Sequence, residues 1–376
     1  MNTHTSFQTL MREATRLTQD GQLQAATQAL QRALGGGTQP SMEDAPATEA
    51  TPANDSSLIL DGCVFETVER TTARTRAGFD QETFTSASHT HAGITRRYKL
   101  YTPPRIAGHA SALVVMLHGC TQNPDDFAAG TGMNALAREQ GFMVLYPEQA
   151  QDANPQRCWN WFKHNHQKRG SGEPALIANL AQTLALQHGI DPHRIYIAGL
   201  SAGGAMAAIV ATAYSDVFAA VGVHSGLPSG AAGNLTEALM AMKNGSANGA
   251  MARSGPGTEP LVRYVVPTIV FHGDKDQTVH PRNGEQVLAA VLASQTPTTG
   301  SAPDATKASS VEQRISQRGR RFTRTTYHNA AGAPLAEHWV LHGAGHAWSG
   351  GSAVGSYTDP TGPDATREMV RFFFSR

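Results

Sequence analysis

The sequence predicts an α/β protein: a mostly parallel sheet flanked by helices, with a helical N-terminal appendage. Two observations predict the sheet. Short, continuously apolar runs such as "SALVVMLHG", "FMVLYPE", "RIYIAG" and "PTIVFHGDKD" recur along the chain, as expected of strands buried on both faces. Helical patterns separate them, and strand–helix alternation is the signature of a parallel sheet covered on both sides. A third observation predicts the appendage. Apolar residues recur at helical spacing over about 6–34, and the glycine- and proline-rich "GGGTQPSMEDAPATEATPANDSS" follows as a linker.

The elements follow in order. The expected domains are an N-terminal helix at 1–34, a linker at 35–57 and one α/β domain at 58–376. The N-terminal helix has two readings, docked on the body or used for self-association. "ITRRYKLYTPP" alternates as a strand that proline ends. Helices are expected at about 127–140, 175–188, from Ala202, over "NGEQVLAAVLA" and in the closing "REMVRFFF". Low-complexity stretches near 229–260 and 294–310 read as surface insertions, and the first could partly cover a site.

Composition excludes several functions. The chain of 376 residues carries 30 Lys+Arg and 30 Asp+Glu, so no nucleic-acid or anionic-membrane partner is expected. No apolar run is long enough to span a bilayer. Three cysteines, Cys63, Cys120 and Cys158, make neither a disulfide framework nor a zinc site, and no metal is expected. "MNTHTSFQTLMREATRLTQDG" lacks the basic-then-apolar pattern of a secretory signal, which by itself points to the cytoplasm.

The chemistry sits at strand ends. "GLSAG", Gly199 to Gly203, is a G-x-S-x-G box that directly follows the strand "IYIA" and precedes a small-residue helix. Alone the box is weak; in that context the serine is held in a sharp turn and presented above the sheet. Ser201 is therefore the candidate nucleophile. It needs a base and an orienting acid, which in this arrangement follow in the order Ser, Asp or Glu, His. "IVFHGDKDQTV" offers Asp274 and Asp276; Asp276 is preferred, because Asp274 lies in the tighter turn. "VLHGAGHAWSGG" offers His342 and His346; His346, in the glycine-rich loop, is the candidate base and His342 the structural one. A developing oxyanion needs two donors. The turn His118-Gly119-Cys120 places the Cys120 N–H as one, and Ala202, next to the nucleophile, supplies the other. "KHNHQKR" at 163–169, His89 and His91 read as solvated loop.

Together, "LHGCTQNPDDFAAGTGMNALAREQGFMVLYPEQ", "RCWNWF", "IYIAGLSAGGAM", "FHGDKDQTVHPRNGE" and "GAGHAWSGG" resemble the poly(3-hydroxybutyrate) depolymerase family of esterases, which is related to feruloyl and acetylxylan esterases. The resemblance covers about residues 90–376. It implies an α/β-hydrolase fold, ester hydrolysis through an acyl-enzyme on Ser201, Asp276 and His346, Cys120 at the oxyanion turn, and no cofactor. The implied partner is an ester or polyester substrate; oligomeric state stays open. Known polymer-degrading members are exported, so the resemblance suggests an extracellular protein where the N-terminus suggests a cytoplasmic one. It also offers a disulfide between Cys120 and Cys158, the alternative being two buried thiols, and leaves Cys63 unpaired. Trp159, Trp161 and Trp348, with His118, are candidate substrate contacts. Two rival functions remain: a feruloyl or acetyl cell-wall esterase with the same triad, and a non-catalytic protein that binds polymer granules.

Overall fold

The first two described strands, β1 (Thr83–His91) and β2 (Ile94–Thr102), form an antiparallel hairpin in which His91 faces Ile94. The two residues between them, Ala92 and Gly93, both have positive φ, the backbone a two-residue hairpin turn requires. His89 and His91, expected in a solvated loop, instead lie on β1, and His89 Nε2 is 2.8 Å from Asn179 Oδ1.

In the computed structural model, residues 81–104, 112–247, 266–294 and 308–375 are described. The chain divides into two compact units, Met1–Gly78 and Phe79–Arg376, and every described residue belongs to the second. The expected N-terminal helix, the linker and Cys63 lie outside the described residues.

From β3 (Leu113–Leu117) the chain alternates: α1 (Pro124–Thr131), α2 (Met133–Gln140), β4 (Met143–Pro147), α3 (Gly172–His188), β5 (Ile195–Leu200), α4 (Ala202–Ala213), β6 (Ala220–His224), α5 (Leu235–Asn244), β7 (Thr268–Gly273) and α6 (Arg282–Ala293). There follow β8 (Ser310–Ile315), β9 (Arg321–His328), β10 (Pro334–Leu341), the short β11 (Trp348–Ser349) and β12 (Thr358–Asp359), and α7 (Ala365–Phe374). The large sheet has the order β1-β2-β4-β3-β5-β6-β7-β10-β9-β8. Its middle, from β4 to β10, is parallel, and its two margins are antiparallel.

Strand composition explains the layering. Along β3, Leu113, Val115 and Leu117 face one core with α3 and α4, while Val114 and Met116 face the other with α1, α2 and α7. All five β3 side chains are buried, so the run is apolar throughout instead of alternating.

Two expectations are corrected. The helix expected over 127–140 is two helices, because Gly132 takes a left-handed φ of 66° that ends α1 and caps it onto Ala128 O. The stretch read as a low-complexity insertion near 229–260 contains α5. Asn234 caps this helix by accepting from Glu237 N–H, an N-terminal signal that composition alone hides. Among the described residues no helix is long and apolar enough to cross a membrane.

Candidate active site

Strand register sets the site. Leu117 faces Gly199, Leu200 faces His224, His224 faces Phe271, and Leu341 faces Gly273. The residues just beyond these ends therefore gather along the carboxyl edge of the parallel strands, where open α/β sheets hold their ligands. They are His118 to Cys120, Ser201, Asp276 and His346.

The turn after β5 needs its glycines. Ser201 has φ 58° and ψ −120°, a conformation costing an L-residue of order 1–3 kcal/mol. A Cβ on Gly203 would lie 2.1 Å from Leu117 O, and one on Gly199 would lie 2.4 Å from the Gly203 backbone. Side chains vanish around Ser201 because neighbouring backbones pass through that space. Ser201 N–H bonds to His224 O at 2.9 Å.

The acid and base choices resolve into two separate pairs. Asp276 Oδ2 accepts from His346 Nδ1 at 2.7 Å, and Asp276 Oδ1 accepts from the N–H groups of Thr278 and Val279. Burial pushes the Asp276 pKa up, but hydrogen bonds from His272 and His346 outweigh it and hold the carboxyl well below its usual range. His346 thus carries its proton on Nδ1, leaving Nε2 as the basic atom. The rejected pair has its own geometry: His342 Nδ1 meets Asp274 Oδ2 at 3.0 Å, and His342 Nε2 meets Thr323 Oγ1 at 2.8 Å. No hydrogen bond among the described residues joins His346 to Ser201. Such contacts are often long before substrate binds.

The turn His118-Gly119-Cys120 packs against this elbow. A Cβ on Gly119 would come within 3.6 Å of Ser201 Cβ. Among the described residues the N–H groups of Cys120 and Ala202 have no acceptor. A disulfide joins Cys120 to Cys158, tying the turn to the segment that follows β4.

A family model described as "Esterase PHB depolymerase" matches residues 96–313. The chain belongs to that family. Within the family's neighbourhood, the chain is 32% identical to poly(3-hydroxyalkanoate) depolymerase C of Paucimonas lemoignei over 270 residues, which is 68% of this chain and 59% of that protein. It is 25% identical over 200 residues to acetylxylan esterase A of Aspergillus oryzae, covering 50% of this chain and 62% of that one. The chain thus spans about three-fifths of the length of these relatives. An acetyl xylan esterase structure from Aspergillus awamori superposes with a TM-score of 0.57 at 19% identity, over 78% of this chain and 100% of that one. The fold of this family member is therefore that of an α/β-hydrolase.

The aromatic residues expected to contact substrate are buried. Trp159, Trp161 and Trp348 are 0%, 4% and 1% exposed. The Trp159 indole N–H donates to His118 O, and that of Trp348 donates to Thr366 Oγ1. Buried indoles need such acceptors, and Trp159 and Trp348 have them. His118 is 1% exposed with both ring nitrogens bonded inside the protein. Nor is the 163–169 segment wholly solvated, since His166 is buried against Glu173.

Sequence reasoning missed the residues that hold the walls. Glu173, fully buried, accepts from Gln149 Nε2, Asn160 Nδ2, Asn160 N–H and Arg96. His224 accepts Ser349 N–H on Nε2 and stacks on Trp348 with ring centroids 5.1 Å apart. It thereby ties the His346 loop to the strand whose carbonyl holds Ser201. Tyr357, 47% exposed, places its hydroxyl 3.1 Å from Thr121 Oγ1, beside the His118-Gly119-Cys120 turn. Among the described residues no cluster of three His, Cys, Asp or Glu side chains is set to hold a metal ion.

These buried rings make stability depend on pH. Burial lowers the pKa of His118 to about 4, of His224 to about 3 and of His338 to about 4, from 6.5. Between those values the unfolded chain binds more protons than the folded one. Stability therefore rises with pH across the window and is lost as pH falls from 6.5 towards 4. Each ring contributes a slope of up to about 1.4 kcal/mol per pH unit. Thermal melts from pH 8 to pH 4 should be level above pH 7 and fall steeply below 6.5. A level melting temperature down to pH 4.5 would contradict three neutral buried rings.

Proposed function

We propose that this protein is a serine esterase that hydrolyses short-chain or hydroxyalkanoate esters, including poly(3-hydroxybutyrate), through an acyl-enzyme on Ser201. The observation carrying this reading is the meeting, at one sheet edge, of a strained serine, an Asp276–His346 pair and two backbone N–H groups without acceptors. His346 Nε2 takes the Ser201 proton as Oγ attacks the ester carbonyl. Asp276 stabilises the imidazolium that forms, and the Cys120 and Ala202 N–H groups receive the oxyanion. His346 then protonates the leaving alcohol, and water repeats the cycle to release the acid. The name of the Paucimonas relative supports the hydroxyalkanoate assignment.

A second reading, removal of acetyl groups from xylan, is favoured by the fungal structure, all of which finds a counterpart in this chain. The two part on substrate. The wild type and Ser201→Ala should be incubated with amorphous poly(3-hydroxybutyrate) and with acetylated xylan, and soluble hydroxybutyrate and acetate measured. Hydroxybutyrate release by the wild type alone is the expected result. Acetate release without hydroxybutyrate would transfer the assignment to the xylan reading. Equal release by both proteins would remove Ser201 from the mechanism. Failure of a fluorophosphonate probe to label the wild type would favour a non-catalytic granule-binding protein.

A further inference from the structure

The oxyanion turn contains a buried histidine that the mechanism above does not use. Gln149 N–H donates to His118 Nε2 at 3.1 Å, so Nε2 must be the unprotonated nitrogen and the ring proton sits on Nδ1. That Nδ1 lies 2.8 Å from Gly119 O and donates to it. The ring is 1% exposed, and the burial that lowers its pKa to about 4 keeps this single-proton form at neutral pH.

Gly119 O belongs to the same peptide unit as the Cys120 N–H. In a planar trans peptide the N–H points opposite to the C=O, so anchoring one aims the other. Rotation of this unit would swing the donor away from Ser201, whose Cβ is 3.6 Å from the position a Gly119 Cβ would take. The neighbouring peptide is held as well: Gly119 N–H donates to Gln122 Oε1 at 2.9 Å, and His118 O accepts the Trp159 indole N–H at 3.1 Å. A hydrogen bond at the carbonyl also polarises the unit and strengthens its N–H as a donor.

We propose that His118 is a positioning residue: its Nδ1–H, donated to Gly119 O, locks the Gly119–Cys120 peptide with its N–H aimed at the oxyanion. This rests on the esterase reading of Ser201 and the oxyanion turn. It makes His118 a determinant of kcat and not of substrate affinity.

The two ring nitrogens can be mimicked separately. An asparagine amide reaches the Nδ1 position, and a glutamine amide reaches the Nε2 position. The experiment measures kcat and KM on p-nitrophenyl butyrate for His118→Phe, His118→Asn and His118→Gln, with Ser201→Ala alongside. His118→Phe should lose about 10²-fold in kcat, the effect of one oxyanion donor, with KM within about threefold. His118→Asn should recover most of that loss, and His118→Gln should not. Recovery by Gln in place of Asn, or equal losses in both, would overturn the proposal by making His118 a prop for Gln149 alone. A wild-type nitrogen-15 spectrum of the His118 ring needs no folded variant: a proton on Nδ1 is expected, and a proton on Nε2 would overturn the proposal. Full activity in Ser201→Ala would instead sink the site reading itself.

Discussion

Asp276→Asn should lower kcat on a soluble ester about 10⁴-fold, and His346→Ala by about 10⁶-fold, with KM changed little. The reasoning is local. Asp276 Oδ1 is occupied by two backbone N–H groups, which leaves Oδ2 to accept the His346 Nδ1 proton. An asparagine in that site keeps its carbonyl on the backbone donors and turns its NH₂ towards His346. The ring must then accept at Nδ1 and carry its proton on Nε2, the wrong tautomer for a base. The side chain stays in place while the chemistry stops. Steady-state kinetics of the single variants and of Ser201→Ala/Asp276→Asn check this, since the double variant should be no slower than Ser201→Ala. Asp276→Asn within tenfold of the wild type would remove Asp276 from the catalytic set. Asp274→Asn is the internal control: its partner His342 is bonded to Thr323, and kcat should hardly move.

The second large effect concerns stability. Cys120 and Cys158 are bonded across a sequence separation of 38. Closing a loop of that length removes denatured-state entropy equivalent to about 4 kcal/mol. Cys158→Ala should therefore lower the melting temperature by about 10 °C, at a few degrees per kcal/mol for a domain of this size. The loss in kcat should be smaller than that of an oxyanion donor, below about 10²-fold. Other bonds still hold the segment: Thr121 N–H to Gln156 O at 2.7 Å, Gln149 Nε2 to Cys158 O at 2.9 Å, and the Trp159 indole to His118 O. Calorimetry of Cys158→Ala, and of the wild type with and without dithiothreitol, measures the effect. A melting temperature unchanged by either treatment would show that these bonds hold the segment without the covalent link.

Part of this site is legible in the sequence because its constraints are local. The glycines around Ser201 follow from backbone approaching within one turn, and the strand ends are marked by apolar runs that stop at "HG" and "GL". The preference for Asp276 over Asp274 and for His346 over His342 rests on turn position; in the structure His346 meets Asp276 and His342 meets Asp274. Glu173 is invisible by the same logic. It opens α3, where an acidic residue is ordinarily a solvated partner of the helix dipole, and only the fold brings Arg96, Gln149 and Asn160 to it. The burial of the tryptophans is hidden for a related reason, since an indole beside a motif has the same letter whether it faces a substrate or a core. β1 was hidden because its polar, half-exposed sequence, TFTSASHTH, lacks a buried face.

The pairing of β10 beside β7 has a consequence in time. The nucleophile's strand leaves the ribosome roughly 145 residues before the base does, a lag on the order of 10 s at ordinary elongation rates. Until β10 slides in next to β7, Ala336 against Thr268 through Leu341 against Gly273, the nascent chain carries Ser201 and Asp276 without a base. On the proposed mechanism, hydrolytic capacity is thereby withheld from chains that lack β10 and the His346 loop behind it.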